Sequence, residues 1–352
     1  MLESGLGFAA LFTELMRDYF QVQPQCTFGY SLGEISMLCA QDVWTNYDQG
    51  SNILNSSPLF GTRLSGPKNA VREYWGLPQG QDHQGGDFWS TYVLMAPVSR
   101  VMEYLKHENR VYLTHINTPK EVVIAGDTQA CLRVIKTLNC DALRAPADHV
   151  LHCKAMSSEY HELIKLNTLP IQKVPDTVFY SAAEYKPIAI ESHSIGRNLA
   201  KGLCQQLNFP RLVSQVYEDG TRIFIEAGAG STCSRWIGEI LKQKEHVTAV
   251  LNKRGVDDHT SIFRVLAKLV SHQVSLDLSS LYCQTPENSS QNKSSLRKIT
   301  IDGYRISYTI LSDKKKEIFK ELSSTSMVDQ NSEQQPNTLS TKKIKEVNSP
   351  EI

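Results

Sequence analysis

The segment Gly29-Tyr30-Ser31-Leu32-Gly33 places one serine between two glycines. A hydroxyl in a G-x-S-x-G frame has a specific use. When a strand precedes it and a helix follows, the serine occupies a sharp turn and its Oγ stands exposed above the sheet edge. The flanking residues supply that context. Cys26 to Phe28 is a short apolar stretch, and Ile35, Met37, Leu38 and Ala40 suit a helix. The glycines at 29 and 33 are expected to let the backbone pack closely there. The helix N-terminus and the Leu32 N–H then face any oxyanion that develops on a bound carbonyl. The competing reading is a buried turn serine that caps the helix from residue 33 onward.

A serine hydroxyl is a weak nucleophile until a base takes its proton. Ten histidines are available. His107, His161, His193 and His246 sit on polar or helical stretches that suit a surface. His152 differs, because it follows a predicted strand and lies among Val150, Leu151, Ala155 and Met156. A histidine in such a setting can equally be structural. His149 and His152 are the closest histidine pair, and Cys153 adjoins the second. Zinc needs clustered ligands, and no second cluster accompanies them, so no metal is expected. A lipase-like order, Ser then Asp then a late His, offers Asp257 or Asp258 with His259, or His272, as rivals.

Positioning such groups requires an α/β scaffold, and the patterning is α/β. Residues 5–20 carry Leu6, Ala9, Ala10, Phe12, Leu15, Met16 and Phe20 on one helical stripe, ended by Pro24. Residues 50–87 are rich in Gly, Pro, Ser and Asn, with a helical patch at 70–75 and a loop at 81–87. From residue 88 the order changes. Strands are predicted over 89–95, 111–116, 122–125 and 142–151, with helices over 98–107 and 130–138. That order, β-α-β-β-α-β, is the ferredoxin-like unit. Beyond 155, strands are predicted over 176–181, 222–226 and 247–251, and helices over 195–217, 231–241 and 261–271.

The expected fold is an α/β, hydrolase-like parallel-sheet core with an inserted ferredoxin-like subdomain. The core takes residues 1–87 and 151–283, and the insert takes 88–150. Residues 284–352 form a polar tail, with a small hairpin at 299–311, that cannot bury enough apolar area to offset ordering entropy and is expected to be mostly disordered.

Composition narrows the function classes. The chain has 352 residues, with 37 basic and 37 acidic side chains. A nucleic-acid binder usually carries a basic excess, so that class is disfavoured. No apolar run approaches the ~18–20 residues that span a bilayer. The first twenty residues lack a basic n-region and contain Glu3 and Glu14, unlike a signal peptide. Eight cysteines without C-x-x-C spacing read as reduced, mostly buried thiols of a cytoplasmic protein. Gly228-Ala229-Gly230 lacks the third glycine and the acidic residue of a dinucleotide loop.

With these residues in view, the chain from Leu6 to Tyr282 resembles the acyl-carrier-protein acyltransferases of fatty acid and polyketide synthases. Gly29-Tyr30-Ser31-Leu32-Gly33-Glu34 is similar to their G-H-S-x-G-E elbow. Asn117-Thr118-Pro119 and Val122-Val123-Ile124-Ala125-Gly126 resemble their N-x-P…V-V-x-S-G segment. His149-Val150-Leu151-His152 resembles H-A-F-H, and Glu226-Ala227-Gly228-Ala229-Gly230 resembles E-V-G-P-G. Val274-Ser275-Leu276-Asp277-Leu278 and Leu281-Tyr282 resemble the customary domain ending. Tyr30, with Ala70-Val71-Arg72-Glu73-Tyr74-Trp75, is most similar to the acyltransferase component of bacterial polyunsaturated fatty acid synthases.

The resemblance implies that Ser31 is the nucleophile and His152 the base, a dyad without a third carboxylate. It implies that a backbone carbonyl orients the histidine. Counting back from Glu226 without a gap puts that carbonyl at Asn208. Tyr30, Asn117, His149 and Leu151 fall where the substrate pocket is expected. Acyl-CoA and a phosphopantetheine-bearing acyl carrier protein are implied as substrates, other synthase subunits as partners, and no bound cofactor.

Two departures matter. The family's G-Q-G-x-Q strand and loop, which supplies one oxyanion donor, is absent from the 30 residues before Ser31. A missing donor typically costs about 10²–10³ in rate. The chain is therefore expected to be N-terminally truncated, split or degraded. Secondly, the arginine that holds a malonyl carboxylate in the family is replaced by Ser56, and Arg63 aligns only after an insertion. That favours a neutral acyl group, whereas the H-x-x-H spelling at His149 favours malonyl. A thioesterase-like hydrolase using the same dyad, and an inactive scaffold remnant, are the alternatives.

Overall fold

The computed structural model describes residues 2–44, 57–80, 88–146 and 149–282. The tail and its expected hairpin, the loop at 81–87 and Ser56 lie outside the described residues.

Helix α1 (Leu2–Glu14) runs into a π-helical turn (Leu15–Tyr19). The predicted stripe is its buried face, with Ala9, Ala10, Phe12, Leu15, Met16 and Phe20 withdrawn from solvent. Strand β1 (Cys26–Phe28) and helix α2 (Leu32–Ala40) follow, with Ser31 between them. A second π-helical turn (Leu59–Arg63) and helix α3 (Asn69–Tyr74) precede the insert.

The insert runs β2 (Trp89–Met95), α4 (Val98–Leu105), β3 (Val111–Thr118), β4 (Glu121–Asp127), α5 (Thr128–Leu138) and β5 (Ala142–Arg144). Its strand order is β5-β2-β4-β3, all antiparallel, as a ferredoxin-like unit requires. Leu94, Val111, Ile116, Val122 and Ile124 pack with Val101, Val134 and Leu138 of its helices. Trp89, Tyr112 and Ala125 belong instead to the cluster with Val150, Cys153, Met156, Leu163 and Ala200. Strands β2, β3 and β4 thus each serve two cores, which is why their apolar runs are nearly continuous.

After a 3₁₀ turn (Lys154–Glu159) come α6 (Tyr160–Asn167), β6 (Val178–Tyr180), β7 (Pro187–Ile188), α7 (Ser192–Cys204), β8 (Leu207–Asn208) and α8 (Phe209–Glu218). They are followed by β9 (Ile223–Glu226), α9 (Thr232–Ile240), β10 (Val247–Val250) and α10 (Asp258–Ser271). Strand β1 pairs in parallel with β6, with Phe28 opposite Tyr180, and β9 pairs in parallel with β10.

Two expectations are corrected. The strand predicted over 142–151 is only Ala142–Arg144, with all three residues exposed. An edge strand without an apolar face has little to extend it. The helix predicted over 195–217 is two helices, because Leu207 and Asn208 leave α7 to pair with His115 and Ile116 of β3. That two-residue ladder adds β8 to the edge of the inserted sheet.

Candidate active site

Ser31 sits in the turn between β1 and α2 with φ 56° and ψ −119°. A non-glycine residue held there costs on the order of 1–3 kcal/mol and persists only when its surroundings enforce it. Two turn bonds do so: Gly33 N–H donates to Tyr30 O, and Glu34 N–H to Ser31 O, each at 3.0 Å. Gly29 is obligatory, since a Cβ there would lie 2.0 Å from the Gly33 carbonyl carbon. Gly33 is not crowded in this sense, because a Cβ on it would meet nothing within 4 Å. The close approach therefore needs one glycine rather than two. Ser31 makes no side-chain bond to the helix it precedes, so it is not acting as an N-cap. Leu32 is the first residue of α2, and neither turn bond uses its N–H.

The hydroxyl is directed at a histidine. Ser31 Oγ lies 2.8 Å from His152 Nε2. The other ring nitrogen, Nδ1, lies 2.7 Å from the Gly202 carbonyl. A carbonyl can only accept, so Nδ1 carries the proton and Nε2 offers its lone pair to the serine. His152 also occupies left-handed backbone, with φ 57°. It is held there from outside, because its own N–H donates to Leu203 O at 2.6 Å. Gly202 and Leu203 lie in the last turn of α7, where carbonyls have no partner within the helix. The histidine thus satisfies two orphan carbonyls, one with its ring and one with its backbone.

This corrects the placement of the orienting carbonyl at Asn208. That residue caps α8 through its side chain, which accepts the Arg211 N–H at 2.9 Å. The ungapped count missed because unpaired carbonyls occur at the end of a helix, and α7 ends before β8 intervenes. Burial pushes the His152 imidazole down to about 4, with the Gly202 bond opposing that shift. The ring is therefore neutral, as a proton acceptor must be.

Glu34 connects the two halves. Its carboxyl is buried, and Oε1 accepts the Ala182 N–H at 2.9 Å. A Cβ on Gly202 would lie 3.3 Å from Glu34 Oε2, so α7 passes close to the carboxyl. Burial raises this group to about 8 despite the Ala182 bond. The sequence pattern contained Glu34 within the elbow motif without revealing this contact.

The remaining expected residues divide. The Tyr30 hydroxyl shares its one proton between Asn117 Oδ1 at 3.2 Å and Ile116 O at 3.3 Å. Asn117 Nδ2 in turn donates to the buried Glu121 carboxylate, which also receives Arg235 and Trp236. The Tyr30 ring packs on Phe209 with centroids 4.8 Å apart. Leu151 is half-buried against the cluster that contains Val150 and Met156. His149 is exposed, and no described contact draws it toward Ser31. His115, which sequence reasoning passed over, stands with its ring centroid 4.6 Å from that of His152. A histidine inside a β-branched run gives no signal of such a neighbour.

The rival groups are engaged elsewhere. Asp257 caps α10 by accepting the Thr260 N–H, Asp258 accepts from Asn252, and His259 meets Phe263 edge to face. Glu226 accepts the N–H groups of Cys233 and Ser234 at the start of α9, so the Gly228–Gly230 turn is closed by a carboxylate. Among the described residues, no group of three or more His, Cys, Asp or Glu side chains is arranged to hold a metal ion.

A strand-to-helix serine, a ferredoxin-like insert, and a neutral histidine that follows the insert and is held by a carbonyl define a class of fold. The acyltransferase domain from the second module of the salinomycin polyketide synthase shares it. The TM-score is 0.59 at 16% identity, over 80% of this chain and 63% of that one. The malonyl-transacylase of a type II polyketide synthase, solved in complex with its acyl-carrier protein, matches with a TM-score of 0.58. Its identity is 18%, over 75% of this chain and 79% of that one. The chain has the acyltransferase-domain fold.

A curated relative narrows the placement. One of the polypeptides of the polyunsaturated fatty acid synthase of Thraustochytrium sp. is 28% identical over 291 residues, or 78% of this chain. The chain spans 14% of that protein's length. No protein-family model matches the chain. By fold and by sequence, this chain is similar to the acyltransferase domains of polyketide and fatty acid synthases, polyunsaturated fatty acid synthase among them.

Proposed function

We propose that this chain transfers an acyl group from a thioester, through an acyl-Ser31 intermediate, to a phosphopantetheine thiol on an acyl carrier protein. The setting proposed is polyunsaturated fatty acid or polyketide-type synthesis. The observation that carries this reading is the relay Ser31 Oγ to His152 Nε2 at 2.8 Å, with Nδ1 held by Gly202 O at 2.7 Å.

In the first half, Nε2 takes the hydroxyl proton while Oγ bonds to the thioester carbonyl carbon. The carbonyl oxygen becomes an oxyanion, and the Leu32 N–H with the N-terminus of α2 stabilises it. Collapse of the tetrahedral species breaks the C–S bond. The departing sulfur takes the proton from His152, leaving acyl-Ser31. In the second half the carrier thiol gives its proton to Nε2, its sulfur attacks the ester, and Oγ recovers that proton. No carboxylate is required, because Nδ1 is fixed by a carbonyl at a helix end.

A neutral acyl group fits this site best. The Arg63 guanidinium is bound to Glu73 at 2.6 and 2.7 Å and to Glu159 through Nε at 3.1 Å. It is therefore already neutralised by two carboxylates. A cytoplasmic setting belongs to this proposal, on the scattered cysteine spacing of the sequence. No described helix is long and apolar enough to cross a membrane.

Intact-mass measurement after incubation with acetyl-CoA tests the reading. A gain of one acetyl group that Ser31→Ala abolishes is the expected result; an unmodified chain overturns it. Adding a carrier protein with a radiolabelled acyl group then separates transfer, with label on the carrier, from hydrolysis, with label in free acid.

A further inference from the structure

In a regular strand, successive side chains point to opposite faces. Thr114 and His115 of β3 break this rule. Leu113 is opposite Ile124 and His115 opposite Val123, so Thr114 is an extra residue in a β-bulge. The bulge brings Thr114 Oγ1 to 3.0 Å from His115 Nδ1. The threonine hydroxyl has one proton, and it goes to the Val123 carbonyl at 3.2 Å. Thr114 Oγ1 must then accept from His115, which fixes the proton on Nδ1 and leaves a lone pair on Nε2. Among the described residues Nε2 has no hydrogen-bond partner.

The ring stands beside the Ser31–His152 pair. Its centroid is 4.6 Å from that of His152 and 5.6 Å from that of Tyr30, and the residue is only half-buried. Burial, reinforced by the neighbouring His152, holds the imidazole well below its usual range, so it stays neutral.

We propose that His115 is a specificity-determining residue whose Nε2 lone pair, beside the Ser31–His152 pair, selects acyl groups that carry no carboxylate. The assignment rests on the acyltransferase reading above. An acyl carboxylate beside this ring would face an acceptor where it needs a donor, and the Arg63 guanidinium is already paired.

The test compares rates of acyl-serine formation from acetyl-CoA and malonyl-CoA, read by quenched intact mass on the full chain. The unsubstituted chain is expected to favour acetyl by at least about tenfold. His115→Asn introduces an N–H₂ donor and should raise the malonyl-to-acetyl ratio by about tenfold, the worth of one charge-assisted hydrogen bond. His115→Phe keeps a ring but supplies no donor, and should raise the ratio less than His115→Asn. A merely structural role would lower both rates together and leave the ratio unchanged. An unchanged ratio in His115→Asn therefore overturns the assignment, as do equal rates in the unsubstituted chain. Should His115→Asn misfold, His115→Gln offers the same donor and is read the same way. No adduct from either thioester would instead overturn the acyltransferase reading itself, and the assignment with it.

Discussion

The N-terminus of α2 and the C-terminus of α7 both meet the Ser31–His152 pair, the first offering N–H groups and the second carbonyls. The serine end is assembled within one stretch of chain, where Gly29, Ser31, Gly33 and Glu34 fix the turn by contacts a few residues apart. The histidine end is assembled across the fold. His152 arrives from beyond the insert and is held by Gly202 and Leu203, and nothing adjacent in sequence sets its tautomer. Both residues pay for function with left-handed backbone, yet one is strained by its neighbours and the other by a distant helix. Damage to the serine end should therefore act on local structure, and damage to the histidine end on chemistry.

The largest expected effect breaks the relay itself. His152→Ala should slow acyl-serine formation by about 10²–10⁴-fold, the usual worth of a positioned base. Stopped-flow or quenched mass measurement with acetyl-CoA checks this, and a rate within threefold or so of the unsubstituted chain would remove His152 from the mechanism.

Gly29→Ala comes next and probes the local end. The added Cβ would sit 2.0 Å from the Gly33 carbonyl carbon and 2.3 Å from the Glu34 nitrogen. Opening the elbow to admit it should cost about 3 kcal/mol, the upper range for overpacking. A urea midpoint unchanged from the parent would mean that the turn is looser than its geometry implies.

The pH profile sharpens the contrast from the histidine side. With His152 pushed down to about 4 by burial, the acylation rate should hold steady as pH falls from about 8 to about 5, then decline. An inflection near the ordinary histidine value of about 6.5 would show that water reaches the ring.

Glu34, which touches both ends, gives the most specific signal. Its carboxyl titrates near 4.5 when unfolded and is raised to about 8 in the fold by burial. Between those values the unfolded chain loses a proton that the folded chain keeps, so stability falls as pH rises through that window. Glu34→Gln should remove this slope while preserving an oxygen for the Ala182 N–H. Urea titrations at several pH values between about 5 and 8 read the difference directly.

Legibility followed the same divide. The elbow was readable because G-x-S-x-G and the apolar runs on either side are local patterns. The insert was readable because strands and helices alternate with clear periodicity, and its order admits few topologies. The β-bulge at Thr114 was not readable, since Val111–Thr118 looks like an ordinary buried strand. Nor was the break between α7 and α8, where two residues leave helical backbone only because β3 offers them an edge.

Residue order alone therefore determined the candidate serine, its tight turn and the alternation of elements, because each depends on contacts within a few positions. His152 stood out by its apolar setting among Val150, Leu151, Ala155 and Met156, but that setting suits a structural histidine equally, and only its likeness to a known motif favoured the role of base. The tertiary structure decided which carbonyl orients that ring, how Glu34 meets α7, and that His115 stands beside the pair. The physical reason is that hydrogen bonds at helix ends and bulges satisfy whatever group packing brings near, and no local spacing records which group that will be.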